Sequence, residues 1–234
     1  VLNTIVADAL REMADELEKA KDFDKAVIKL IKKTVTEHKR IVFNGNGYSD
    51  EWLAEAEKRG LPNVKSMVEA IPYLVREDSI EMFERQGVYT RTELESRAEI
   101  NYEIYSKAIN IEAKTMIEMA SKLYIPAVIK YTKSLADSIL AVKGAVSGAD
   151  VSVQEELLTK TSALLAQSQK ALSDLKEKVV TAAEKEEGAV RANYFHEEVF
   201  TAMARLREPI DALEMIVDKS VWPVPTYGDL LFEV

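Results

Sequence analysis

The chain has 234 residues, 47% of them hydrophobic, enough to bury a core in one large domain or two small ones. Forty acidic against 31 basic residues leave a formal charge of -9, which argues against nucleic acid as a partner, because phosphate affinity needs a clustered basic surface. There is no cysteine for a disulfide framework or a thiolate zinc site, no apolar run near the roughly 20 residues that span a bilayer, and no signal-peptide order at the amino terminus, so a soluble, cytoplasmic chain with no membrane partner is expected.

Val1 to about Ala20 places Ile5, Val6, Ala9, Leu10, Met13 and Leu17 at three- and four-residue spacing with charged residues between them, the pattern of an amphipathic helix. It begins within an apolar stretch and without Met, as expected of a piece cut from something larger. Residues 22–39 repeat the pattern with Phe23, Val27, Ile28, Leu30, Ile31 and Val35, and the basic His38, Lys39 and Arg40 suit the negative end of a helix dipole. Asp50 to Arg59 reads as a short helix closed by Gly60, with Pro62 as a stop.

A serine or threonine followed three residues later by glutamate predicts capping boxes at Ser66/Glu69, Thr90/Glu93 and Ser152/Glu155. Asp78/Glu81 is a weaker variant whose helix ends at Gly87. Arg91 to Val142 is helical by pattern, with a kink or break expected at Pro126, and Gly144 and Gly148 mark a turn. From Val153 to about Glu187, Leu158, Leu165, Leu172 and Val179 recur every seven residues as a bundle or coiled-coil stripe. Gly188 interrupts it, and Ala189 to Lys219 gives another helix with Pro209 inside.

The short turn at 143–151 sets its neighbours antiparallel. The predicted fold is therefore all-α: short amino-terminal helices over 1–90, then, over 91–234, an elongated antiparallel helical bundle with an extended C-terminal tail, VWPVPTYGDLLFEV, docked on the core. The leucine stripe is expected to be buried against the helices at 91–142 and 189–219. Any strand is confined to Arg40 to Phe43 or the last few residues.

The stretch FNGNGYSDEW, residues 43–52, is the one segment that suggests chemistry. Gly45 and Gly47 fill two positions of a dinucleotide fingerprint, but the third falls on Asp50, no strand–helix–strand unit surrounds it, and no Gly-Lys-Ser/Thr follows for a phosphate loop. A type I′ hairpin finds no second strand. The stretch reads as a tight connector whose glycines take positive φ and lead through Ser49 into the helix carrying Trp52.

His38 and His196 each adjoin a glutamate, yet position 200 is Phe where a zincin needs its second histidine, and Val35 and Asn193 break the Glu-x-x-His of di-iron bundles. Both histidines read as helix-surface residues. The acid pairs Asp50-Glu51, Glu155-Glu156 and Glu186-Glu187 read as solvated faces, and Tyr102, Tyr105, Tyr124 and Tyr131 as core or interface. No catalytic, cofactor-binding or metal-ligating residue is assigned.

FNGNGYSDEWLAEAEKRGLPN, then SMVEAIPYLVREDSIEMFERQGVYTRTELESRAEI and INIEAKTMIEMASKLYIPAVIKY, resemble the carboxyl-terminal part of type III glutamine synthetases, the large bacterial form of the enzyme, and the likeness runs nearly end to end. Ser66 to Ile100 also follows the outline of the smaller glutamine synthetases, and LNTIVADAL resembles the helix after their last active-site strands. The resemblance implies that 1–90 is the tail of the catalytic domain and 91–234 a type III helical extension. The family's metal-binding glutamates and its glutamate- and ATP-contacting motifs lie upstream, so none is carried onto a residue of this chain, which is expected to be inactive alone. For the parent, the resemblance implies ATP-dependent ligation of ammonia to glutamate with Mg or Mn. The implied partners are the rest of the glutamine synthetase chain and further copies in a homo-oligomer of stacked rings. On the residues alone a free-standing helical scaffold or protein-interaction module, with the 153–219 hairpin as its docking face, stays open.

Overall fold

In the computed structural model, which describes residues 1–232, 78% of the chain is helical and no strand occurs among the described residues, so the fold is all-α as expected. Residues 39–41, within reach of the expected strand, form a single 3-10 turn. The other place reserved for a strand ends in Glu233 and Val234, outside the described residues. Two compact units, Val1–Asn101 and Tyr102–Val234, divide the chain within one long helix.

The first unit holds α1 (Leu2–Glu18), α2 (Phe23–His38), α3 (Asp50–Lys58), α4 (Met67–Leu74), α5 (Glu77–Arg85) and the start of α6 (Arg91–Met119). Its helix starts are fixed by side chains that satisfy orphan amides. Asp22 accepts from Lys25 N at 3.2 Å, and Ser49 Oγ from Trp52 N at 3.4 Å. The boxes at Ser66/Glu69 and Thr90/Glu93 both close: each glutamate accepts from the cap amide at 3.0 and 2.8 Å, and each hydroxyl from the glutamate amide at 3.2 and 3.4 Å.

Two other expected boxes do not form, because a charged neighbour claims the carboxylate. Asp78 is taken by Arg76, and Glu155 reaches Lys143 at 2.5 Å while Asp150 accepts from Ser152 N at 2.9 Å. Gly60 and Gly87, at φ 67° and 63°, close α3 and α5 in the left-handed conformation, and the following amides, Leu61 and Val88, bond back to Ala56 O and Phe83 O. The core of this unit is Ile80, Phe83 and Leu94, with Leu74 and Tyr89 packed on it.

α1 and α2 leave much of their hydrophobic pattern outward, although Met13 and Leu17 on α1 are half-buried. α1 buries Thr4 and Asp8 while Ile5, Val6 and Leu10 stay exposed; α2 buries nothing, and Ile28, Ile31 and Val35 are each about 60% exposed. Only Val27 and Leu30 on α2 are half-buried among its large aliphatics.

The second unit consists of three helical rods. The first runs from α6 through a π turn (Ala120–Tyr124) into α7 (Ile125–Ala145); the second is α8 (Ser152–Glu184), roughly 50 Å long; the third joins α9 (Ala189–Tyr194) through another π turn (Phe195–Val199) to α10 (Phe200–Glu214). The break expected at Pro126 is absent. The turn just before it widens, with Ile125 N bonding to Ala120 O, and the helix continues. Lys143 with Glu155, and Lys178 with Glu198 and Asp174 with Arg205, set α8 antiparallel to both neighbours.

α8 packs against α7 and α10, the partners anticipated for it, but its buried line differs from the leucine stripe. Leu172 and Val179 are buried, whereas Leu158 and Leu165 are only half-buried. The innermost line is Thr161, Ser168, Leu175 and Ala182, all at 0% exposure. Thr161 and Ser168 can lie there because each hydroxyl donates to a carbonyl of its own helix, Leu157 O at 2.7 Å and Leu164 O at 2.9 Å. Beyond α10, Trp222 stacks on Tyr124 with ring centroids 5.1 Å apart, so the tail does dock on the core. The tail is not wholly extended: Thr226 and Asp229 form a capping box that starts α11 (Tyr227–Phe232).

Candidate functional site

FNGNGYSDEW folds into a closed structural knot. Neither Gly45 nor Gly47 has positive φ, which corrects the expectation drawn from the Asn-Gly pairs. Gly45 is required for another reason: a Cβ there would lie 2.6 Å from Phe43 Cζ, and that ring is stacked on Trp52 with centroids 4.3 Å apart. At Gly47 a Cβ would meet nothing within 4 Å. Asn46 makes the turn, accepting from Tyr48 N at 3.0 Å on its side chain and from Ser49 Oγ at 2.9 Å on its backbone. Arg59 lies over Trp52, donates to Val42 O at 2.8 Å and Arg40 O at 3.2 Å, and pairs with Glu55 at 2.6 Å. The donors named here are turned onto the chain's own carbonyls and carboxylates, so the stretch is a connector and offers no cradle for a phosphate.

Asp8 is the most strongly perturbed carboxylate of the first unit. Arg85 donates to its two oxygens at 2.9 and 2.6 Å and Gln86 donates at 2.7 Å, and these bonds hold its pKa down to about 2 against its own partial desolvation. Arg11 adds a bond to Arg85 O at 3.0 Å. The cluster clasps α1 to α5. It leaves no titrating proton near neutral pH for acid–base work.

In the second unit a hydrogen bond joins Tyr105 Oη and His196 Nδ1, 3.1 Å apart. His196, expected on the helix surface, is half-buried because the second π turn carries it and Tyr105 gives it a partner. Burial raises the Tyr105 pKa above its usual 10, with Glu112 adding to the effect, so the phenol stays neutral. His38, by contrast, is exposed at the end of α2. Lys178 and Glu198 pair across α8 and the π turn; their mutual hydrogen bond raises the lysine pKa and lowers that of the glutamate. Tyr102 is buried, and Tyr105, Tyr124 and Tyr131 are half-buried against the core, as their spacing suggested. The pairings Asp8–Arg85 and Lys178–Glu198 carry no sequence signal, since they join positions 77 and 20 residues apart.

A cavity of about 420 Å³ in the second unit is lined by Met116, Met119, Leu206 and Ile210, with Arg207 and Asp211 paired at 2.9 Å on one side. Glu214 and Tyr124 also line it, so the cavity is amphipathic, with one of its two acids paired to Arg207. Among the described residues no three His, Asp or Glu side chains come together as a metal site would need. Glu155 and Glu187, from the acid pairs, are engaged by Lys143 and Arg191. This donor set does not fit a magnesium–nucleotide complex, so no catalytic step is derived from it.

The described residues form an all-α set of capped helices joined by structural connectors. The family model of the glutamine synthetase C-terminal domain matches residues 26–143, and the chain belongs to that family. It is similar to a glutamine synthetase of Butyrivibrio fibrisolvens, 38% identical over 208 residues that make up 89% of this chain and 30% of that protein. It is also similar to the type-3 glutamine synthetase of Dictyostelium discoideum, 35% identical with 99% of this chain and 32% of that protein covered. A glutamine synthetase of Bacteroides fragilis is 28% identical over 99% of this chain and 33% of its own length. The chain thus spans about a third of the length of these curated relatives and corresponds to their C-terminal part. No helix among the described residues is long and apolar enough to cross a membrane.

Proposed function

We propose that this chain is the structural, C-terminal helical portion of a cytoplasmic glutamine synthetase of the type III form, in which the whole protein ligates ammonia to glutamate with ATP and a divalent metal. Residues 1–90 complete the surface of the catalytic domain, and residues 91–234 form the extension through which identical chains associate into stacked rings. The observation that carries this reading is the match of a glutamine synthetase C-terminal domain family over residues 26–143. Long helices with amphipathic faces suit association because they offer area without disturbing a reaction centre.

Two measurements test the reading. Isothermal titration of the chain with Mg-ATP is expected to show no binding, beside glutamine formation by the protein that contains its amino-terminal portion; micromolar binding by the chain would overturn the non-catalytic assignment. Deleting residues 143–219 from that whole protein is expected to abolish ring assembly in light scattering. Intact rings would remove assembly as the role of the extension.

A further inference from the structure

We infer that the cavity lined by α6, the first π turn, α10 and the tail binds a small organic ammonium ion that carries an apolar body. The site lies wholly within the second unit, so its occupancy does not depend on the reaction of the whole protein.

The space of about 420 Å³ falls within the roughly 300–1,000 Å³ of small-molecule sites. Met116 and Met119 of α6 and Leu206 and Ile210 of α10 give it apolar walls, and Leu230 of α11 adds another. Thioether side chains are polarisable and conform to irregular shapes, which suits a wall that must fit a guest. The lining also takes in Ala120 and Tyr124, the first and last residues of the π turn. Such a widened turn is rare within a helix and recurs at functional sites.

Charge selects the guest. Arg207 and Asp211 pair at 2.9 Å and offset each other, which leaves the half-buried Glu214 as the surplus charge of the lining. Among the described residues no lysine, arginine or histidine pairs with Glu214. Glu214 also ends α10, where the helix dipole is negative. The fields of Glu214 and Asp211 reach Tyr124, whose pKa burial already holds above its usual 10, so the two carboxylates and a neutral phenol face a common space. The Tyr124 ring is stacked on Trp222 with centroids 5.1 Å apart, and an aromatic wall beside a carboxylate favours an ammonium. An anion would meet Glu214 as a like charge, and a neutral guest would cover the carboxylate without pairing it.

The test is calorimetric titration of the whole protein with 4-phenylbutylamine, beside 4-phenylbutanol and 5-phenylpentanoate as its neutral and anionic counterparts. The amine is expected to bind about tenfold more tightly than the alcohol, the worth of one charge-assisted contact. The carboxylate should not bind at the concentration that saturates the amine. Glu214→Gln should bring amine and alcohol to the same Kd, whereas Glu208→Gln, on the same helix but outside the lining, should keep the preference. Leu230→Trp, at a position 65% exposed, should narrow the space and weaken both probes several-fold without disturbing the core. Near-UV circular dichroism of the Tyr124–Trp222 stack shows whether each variant is folded, and if Glu214→Gln is not, Leu230→Trp still decides whether the probes enter this cavity. Absence of amine binding would overturn the proposal. Equal binding of the three probes would also overturn it, as would amine binding that neither variant alters.

Discussion

Phe43 and Gly45 show how little room one connector leaves. A methyl group at Gly45 drives the Phe43 ring off Trp52, so Gly45→Ala should cost about 1 kcal/mol, the worth of a stacked aromatic pair, and shift tryptophan fluorescence. Gly47→Ala meets open space at ordinary φ and should be neutral or stabilise by about 0.5 kcal/mol through the unfolded chain. The two Asn-Gly pairs were legible as a connector, but which glycine matters was not, because the answer lies in where a ring two residues away comes to rest.

Asp8 gives a pH test at the same scale. Its folded pKa, about 2, lies below the ordinary 3.8, so its clasp stabilises fully above 3.8 and is lost as pH falls through about 2. The melting midpoint of Asp8→Asn should therefore lie below that of the natural chain at neutral pH. The gap should close as the pH is lowered through that window.

Among the elements, α8 separates what periodicity reveals from what it hides. The seven-residue period was legible; its phase was not, because Leu158 and Leu165 mark the flank of the buried line and the hydroxyls of Thr161 and Ser168 lie at its centre beside Leu175. Small polar residues that bond within their own helix look like surface residues in a sequence. Leu175→Ala, at 0% exposure, should cost about 2–5 kcal/mol in urea unfolding. Ser168→Leu completes the apparent heptad yet should destabilise by about 1–3 kcal/mol, since the site has no space for the larger side chain. Unchanged midpoints for both would mean that this line is not the bundle's core.

For the whole molecule, fold class could be read from helical spacing, and the family from strings of residues that the matched domain also covers. The direction in which α1 and α2 face could not, because a hydrophobic pattern states that a face will be covered and is silent on what covers it. The two units also differ in the depth of their cores, a small cluster around Ile80, Phe83 and Leu94 in one and a continuous cluster from Ile109 to Trp222 in the other. Amide hydrogen exchange of the chain should therefore be slowest over Leu172–Ala182 and Val199–Leu213 and faster in α1 and α2 by orders of magnitude. Comparable rates in both regions would contradict that ordering.

The two π turns bear on how this chain tolerates changes of length. A π turn is an α-helix holding one residue too many, absorbed within one wide turn, so the helix on either side keeps its phase. Removing Ser121 would restore regular winding and leave Tyr124 and α7 facing Trp222 and α8. The same deletion in the regular winding of α7 or α8 would swing everything beyond it by about 100° about the axis. Phe195–Val199, which leads into α10, is the second such place, so descent with insertions and deletions has more freedom at these two turns than elsewhere within the rods.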